Sequence, residues 1–166
     1  MRGLLLVAVA ACLNAAEPAQ LLAGGDFEAV LSGLPSGITQ EIEDANHYLR
    51  LTASPDKMVT VYREVDVTGL KNLKLTFRER HNGVKAGAQP WFDARLMLEF
   101  KDAARATVKG APAPPHFQGT VEAWTPHTVL CAVPEGATLL AIMPAMFQAA
   151  EGTFDIDAIE VVAVDH

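Results

Sequence analysis

The side chains best equipped for chemistry sit near the middle of the chain. Read at period two, one strand-like segment turns Arg78 and Arg80 outward, and the next turns Trp91, Asp93, Arg95, Met97 and Glu99 outward. If those segments are neighbours, they make a polar surface with an aromatic at its rim, suited to sugar hydroxyls and the apolar face of a sugar ring. Stacking one ring on Trp91 would remove about 100 Å² of apolar surface from water, roughly 2.5 kcal/mol at 25 cal/mol/Å². Tyr62 would double that, and Arg78, Arg80, Arg95 and Glu99 would add hydrogen bonds. Against an association cost of at least about 4 kcal/mol, micromolar to millimolar affinity is expected. The competing reading pairs these charges across strands and lets Trp91 cap the core. Trp124, beside Thr125 and Pro126, reads as structural, and Tyr48 is a secondary candidate because it shares the polar parity of Arg50 and Thr52.

Catalytic constellations are missing. Glu79 and Glu99 could be offered as a carboxylate pair for glycoside hydrolysis, but Glu79 follows the Phe77 face and Glu99 lies opposite Phe100. No nucleophile elbow, phosphate-cradling loop or His-Glu-x-x-His occurs. His47, His81, His116 and His127 have no paired zinc spacing, and Cys131 reads as core. Binding without turnover is therefore expected. Among the carboxylates, Asp157 shares parity with Ile159 and Val161 and is expected to turn inward, where it needs a partner or a cation. Alternatively Asp26, Glu28, Asp155 and Asp157 are solvated charges at strand ends, or Asp157 pairs with a lysine.

The elements that position these residues are strands. Val59, Val61, Val65 and Val67 alternate with polar residues, as do Leu73, Leu75 and Phe77, and Phe92, Ala94, Leu96, Leu98 and Phe100. Weaker strand signals cover Ile38 to Ile42, His47 to Thr52, Val129 to Val133, Thr138 to Met143 and Phe154 to Val164. About eight strands, separated by turns such as Ser54-Pro55-Asp56, Asn82-Gly83 and Pro134-Glu135-Gly136, predict an all-β, two-sheet antiparallel sandwich. The proline-rich stretch from Lys109 to Pro115 predicts an extended crossover loop.

With 166 residues, half of them apolar, the chain can bury one substantial core but not two. A net charge of −7 argues against nucleic acid and against an anionic membrane surface. Arg2, the apolar run from Leu4 to Ala11 and the small residues Ala15 and Ala16 read as an export signal over residues 1–16, with one domain over 17–166 and a secreted or periplasmic, monomeric product expected. Val9-Ala10-Ala11-Cys12 offers lipid anchoring through Cys12 as an alternative. The apolar run is too short to span a bilayer, which takes about 20 residues.

Five segments in order, Gly24-Gly25-Asp26-Phe27-Glu28, Trp91-Phe92-Asp93-Ala94-Arg95, Phe117-Gln118-Gly119-Thr120, Val133-Pro134-Glu135-Gly136-Ala137 and Phe154-Asp155-Ile156-Asp157-Ala158-Ile159, resemble the jelly-roll carbohydrate-binding modules of galactose-binding-like fold attached to secreted bacterial glycoside hydrolases. The resemblance spans Leu21 to Val164. It implies a non-catalytic module that holds polysaccharide of β-glucan or xylan type, with a covalently linked catalytic domain as partner. A structural spacer without ligand and a lectin-fold lyase or hydrolase are the alternatives. The resemblance also implies structural calcium held by Glu28 and Asp157 with backbone carbonyls, near Asp26. Calcium takes six to eight oxygens, so two carboxylates suffice only where loops converge.

Overall fold

The computed structural model describes residues 19–165, so the expected export signal and Cys12 lie outside the described residues. Eleven strands run in chain order: β1 (Ile38–Glu43), β2 (Asn46–Thr52), β3 (Met58–Thr60), β4 (Arg63–Asp66), β5 (Asn72–Lys85), β6 (Ala94–Lys101), β7 (Thr107–Val108), β8 (His116–Phe117), β9 (Gly119–Ala132), β10 (Leu139–Phe147) and β11 (Glu151–Val164). They form two antiparallel sheets. One has the order β1-β2-β11-β5-β9; the other has the order β3-β10-β6-β7, with β4 also on β10 and β8 also on β6. The described residues contain no helix, and hence none long and apolar enough to cross a membrane.

The two-layer sandwich expected from the alternation is present, with three strands more than the eight foreseen. The Val59 to Val67 run is split into β3 and β4, which pair with the same strand β10 on either side of Val61 and Tyr62. The two-residue strands β7 and β8 account for the others. Strand β9 begins ten residues before the predicted Val129. Pro126 reads as a breaker, but β9 lies at the sheet edge, where a missing N–H leaves no central ladder broken. The Lys109 to Pro115 stretch is free of strand, as expected, and Pro115 accepts a hydrogen bond from Leu96 at 3.0 Å.

Between the layers, Leu49 and Leu51 of β2, Leu73, Leu75 and Phe77 of β5, and Phe154 and Ile156 of β11 share one core with Leu96 and Phe100 of β6 and Leu140 and Ile142 of β10. Glu79 and His81 also point into the sandwich. Glu79 sits between two imidazoles, 2.8 Å from His81 Nδ1 and 3.0 Å from His127 Nε2, and His81 Nε2 lies 3.2 Å from the carbonyl of Gln118.

The opening and closing segments lie side by side. Leu21 donates to Val161 at 2.8 Å, Ile159 donates to Gly25 at 2.8 Å, and Gln20 pairs with Val162. The contact requires glycine at position 25, because a Cβ there would stand 2.0 Å from the Ile159 carbonyl oxygen.

Candidate functional site

Alternation decides the outward face of the five-stranded sheet. On β2, Leu49 and Leu51 face the core, so Tyr48 and Arg50 face out. On β5, Phe77, Glu79 and His81 face in, so Arg78 and Arg80 face out. On β11, Phe154 and Ile156 face in, so Asp155 and Asp157 face out. Register then aligns the charges in rows: Arg50 stands opposite Asp155, which stands opposite Arg80, and Asp157 stands opposite Arg78.

Each row is closed by hydrogen bonds. Arg50 donates from Nε to Asp155 Oδ1 at 2.7 Å and from Nη2 to Oδ2 at 2.8 Å, while Arg80 Nε donates to Oδ2 at 2.9 Å. Both guanidinium groups also donate to the hydroxyl of Tyr48, at 3.3 and 3.0 Å. Tyr48 is on the outward face yet buried, because the two arginines lie over its ring and Trp124 packs edge-on at 5.3 Å. Arg78 and Arg80 in turn lie over Trp124, 5.0 and 4.7 Å from the ring centre. Such cation–π contacts strengthen as water is excluded.

The Asp155 carboxylate is 3 % exposed, so its charge is desolvated and stands only because three donors meet it. The Arg50 guanidinium is held above its ordinary value, chiefly by its hydrogen bonds to Asp155. Burial pulls Arg80 the other way, but Asp155, Glu43 and Tyr48 outweigh it and the net shift is also upward. Beside this row lies a cavity of about 330 Å³, lined by Arg50, Arg80, Asn82, Glu122, Thr153 and Asp155 among others.

The β1–β2 hairpin folds over the same face. At about 4.8 Å per strand, β1 in a flat sheet would run about 14 Å from β5 and about 19 Å from β9. Yet Glu43, the last residue of β1, accepts from Arg80 Nη1 at 2.9 and 3.1 Å and from Trp124 Nε1 at 3.3 Å. Two side chains cannot cover 19 Å, so the hairpin end arches across the sheet. Those bonds hold the Glu43 carboxyl below the usual carboxylate range, Arg80 first and Trp124 second. Behind this bridge, a smaller cavity of about 200 Å³ is lined by Glu43, Asp44, Asn46, Arg78 and Trp124.

The expected surface that joins Arg78 and Arg80 to Trp91, Arg95 and Glu99 does not form. Strands β5 and β6 lie in opposite sheets, since residues 86–93 cross between layers rather than closing a hairpin. Alternation tells which residues share a face but not which strand comes next to which. Trp91, 55 % exposed, sits on that connection, its carbonyl accepting from Arg95 and its ring edge-on to Phe92. Arg95 also clasps Asp93, Nε to Oδ1 at 2.7 Å. Glu99 pairs with Lys101 at 2.8 Å and Thr107 at 2.5 Å, and Tyr62 lies exposed between β3 and β4.

Asp157 does not turn inward with Ile159 and Val161. Between Asp157 and Glu160 the register shifts, so that Ala158 (φ 49°) and Ile159 stand opposite Phe77 alone. The bulge resets the parity. Asp157 Oδ2 accepts from Arg78 Nε at 3.0 Å and Asn46 Nδ2 at 3.0 Å, and Oδ1 accepts from the Ala158 N–H at 2.6 Å. Glu28 receives the His47 N–H at 3.1 Å and lies 2.8 Å from its Nδ1, which lowers the carboxyl below its ordinary range. Asp26 accepts the Glu28 N–H at 3.4 Å. Glu28 and Asp157 therefore occupy one corner, but all four of their oxygens already face donors, and no group of three metal-ligating side chains occurs among the described residues. These side chains alone do not supply the six to eight oxygens of a calcium shell.

No protein-family model matches the sequence, and no curated protein matches it significantly. Solved structures do match. Family 16 Carbohydrate Binding Module-2 superposes with a TM-score of 0.59 at 17 % identity, covering 86 % of this chain and 99 % of its own. TmCBM61, solved in complex with β-1,4-galactotriose, gives 0.55 at 12 %, covering 88 % and 99 %. The fold is the one these modules share. It also occurs inside a larger protein: the enzymatically active domain of bacteriophage CBA120 tailspike protein 4 gives 0.60 at 13 % identity over 87 % of this chain, which spans 21 % of that one.

Of the face itself, local spacing does not point to Arg50, Asp155, Glu43 or Asn46 as binding residues, and it makes Tyr48 a secondary candidate and Trp124 structural. A usable signal existed: three segments each carry charged or hydroxyl-bearing residues at the parity opposite their apolar ones.

Proposed function

We propose that the protein is a non-catalytic carbohydrate-binding module that holds neutral polysaccharide of β-glucan or xylan type on the outward face of its five-stranded sheet. In this reading it is exported and targets or supports a glycoside hydrolase. The observation that carries it is the Arg50–Asp155–Arg80 row, seated on Tyr48 and Trp124 at the edge of a 330 Å³ cavity. That volume falls at the low end of the roughly 300–1,000 Å³ typical of small-molecule sites. The row is fixed before any ligand arrives, so its N–H groups and oxygens meet sugar hydroxyls at little ordering cost. Arg50, Arg78 and Arg80 are matched by Asp155, Asp157 and Glu43, which favours neutral sugars over uronates.

Affinity electrophoresis on soluble β-glucan, xylan and galactan tests this. The wild type is expected to be retarded on at least one of them, Arg50→Ala and Trp124→Ala to lose the retardation, and Trp91→Ala to keep it. Retardation lost only in Trp91→Ala would move the site to the connection between β5 and β6. No retardation on any glycan would leave the structural-spacer reading.

A further inference from the structure

We infer that the 330 Å³ cavity takes the end of a glycan chain rather than its interior, with Glu43 as the stop; the inference rests on the functional reading above. A site for chain interiors needs an open path on both sides. Here the path along the strands leads from the cavity lined by Arg50, Asn82, Glu122 and Thr153 towards the one lined by Asn46, Asp44 and Arg78. Between the two stands the Glu43 carboxylate, bonded to Arg80 on β5 and Trp124 on β9, so that the bridge runs from one sheet edge to the other. The hairpin is also tied down behind it: Asn46 Oδ1 accepts from Arg78 Nη2 at 2.7 Å, and Asn46 Nδ2 donates to Asp157 at 3.0 Å. A sugar in the large cavity therefore meets a wall where its next residue along the strands would continue. The cavities are separate compartments of one face, and Glu43 is a specificity-determining residue.

Titration calorimetry with cello-, xylo- and β-1,4-galacto-oligosaccharides of two to six residues tests this, using wild type, Glu43→Ala and Glu43→Gln. Glu43 is half exposed on the hairpin end, and near-UV circular dichroism verifies that the variants stay folded. For wild type, affinity per chain is expected to level off by the trisaccharide. For Glu43→Ala, the hexasaccharide is expected to bind about tenfold tighter than the trisaccharide, the gain from one more modest subsite. Glu43→Gln, which keeps an acceptor for Trp124 but not the charge facing Arg80, is expected to fall between. A wild-type affinity that climbs about tenfold from trisaccharide to hexasaccharide, or a Glu43→Ala profile as flat as wild type, overturns the inference while leaving the functional reading in place. Absence of binding by all three proteins refutes the functional reading itself.

Discussion

Replacing Asp155 by alanine probes the centre of the candidate face. The carboxylate is 3 % exposed and receives three charge-assisted bonds, at 2.7, 2.8 and 2.9 Å. Bonds to charged groups contribute about 1.5–3 kcal/mol each, so a bare sum would exceed 4 kcal/mol. That sum overstates the loss. The Arg50 side chain is 34 % exposed and can turn to water, and Arg80 keeps Glu43 and Tyr48 as partners. Breaking a buried pair on one side costs about 3–5 kcal/mol, so with this partial rescue about 3 kcal/mol is expected. For a chain of this size that corresponds to a Tm lowered by about 6–12 °C. Urea unfolding of Asp155→Ala, Arg50→Ala and the double variant measures it, and the cycle is expected to show a coupling above about 1 kcal/mol. A loss below about 1 kcal/mol with no coupling would mean that water already satisfies the row. The argument that this face is organised before ligand arrives would then fail.

Two further outcomes follow from the carboxylates. Glu43 has its folded value depressed below its unfolded one, so the bridge to Arg80 is complete above the ordinary carboxylate range and is lost as pH falls through the folded value. Calorimetry at successively lower pH below the ordinary carboxylate range should therefore show wild type moving to the intermediate length dependence of Glu43→Gln, and a plateau unchanged down to the pH at which the protein unfolds would count against the bridge as the stop. With Glu28 and Asp157 oxygens engaged by His47, Arg78, Asn46 and Ala158, millimolar calcium or its chelation is expected to leave Tm unchanged within about 2 °C. A clear rise with calcium would show that the corner reorganises around the ion.

The sandwich was legible because its strands alternate strictly: Leu73, Leu75 and Phe77 or Leu96, Leu98 and Phe100 state which side is buried wherever their neighbours lie. The site was less so. Alternation turns Arg78 and Arg80 outward, but chain proximity points to the next segment for their companions, whereas the register supplies Asp155 and Asp157 from a strand nearly eighty residues later. Trp124 was hidden by Pro126, whose effect depends on whether its strand is central or at an edge. Asp157 was misplaced by a single extra residue, Ala158, that period-two counting takes at face value. Each miss concerns a long-range relation, which local spacing does not encode.

That extra residue has a use that the packing does not ask for. Without Ala158, Asp157 would still point out, Ile159 in, Glu160 out and Val161 in, so the hydrophobic layer would be satisfied by a plain, uninterrupted ribbon. What the insertion adds is a knot at the margin of the molecule: one amide turned to Asp157 Oδ1 and the next to the carbonyl of Gly25, where no larger residue fits. A version shortened by that one residue would keep its interior and the hold of Gln20 and Leu21 on Val161 and Val162, but would loosen the tie at Gly25, which makes that end of the seam a separable part of the architecture.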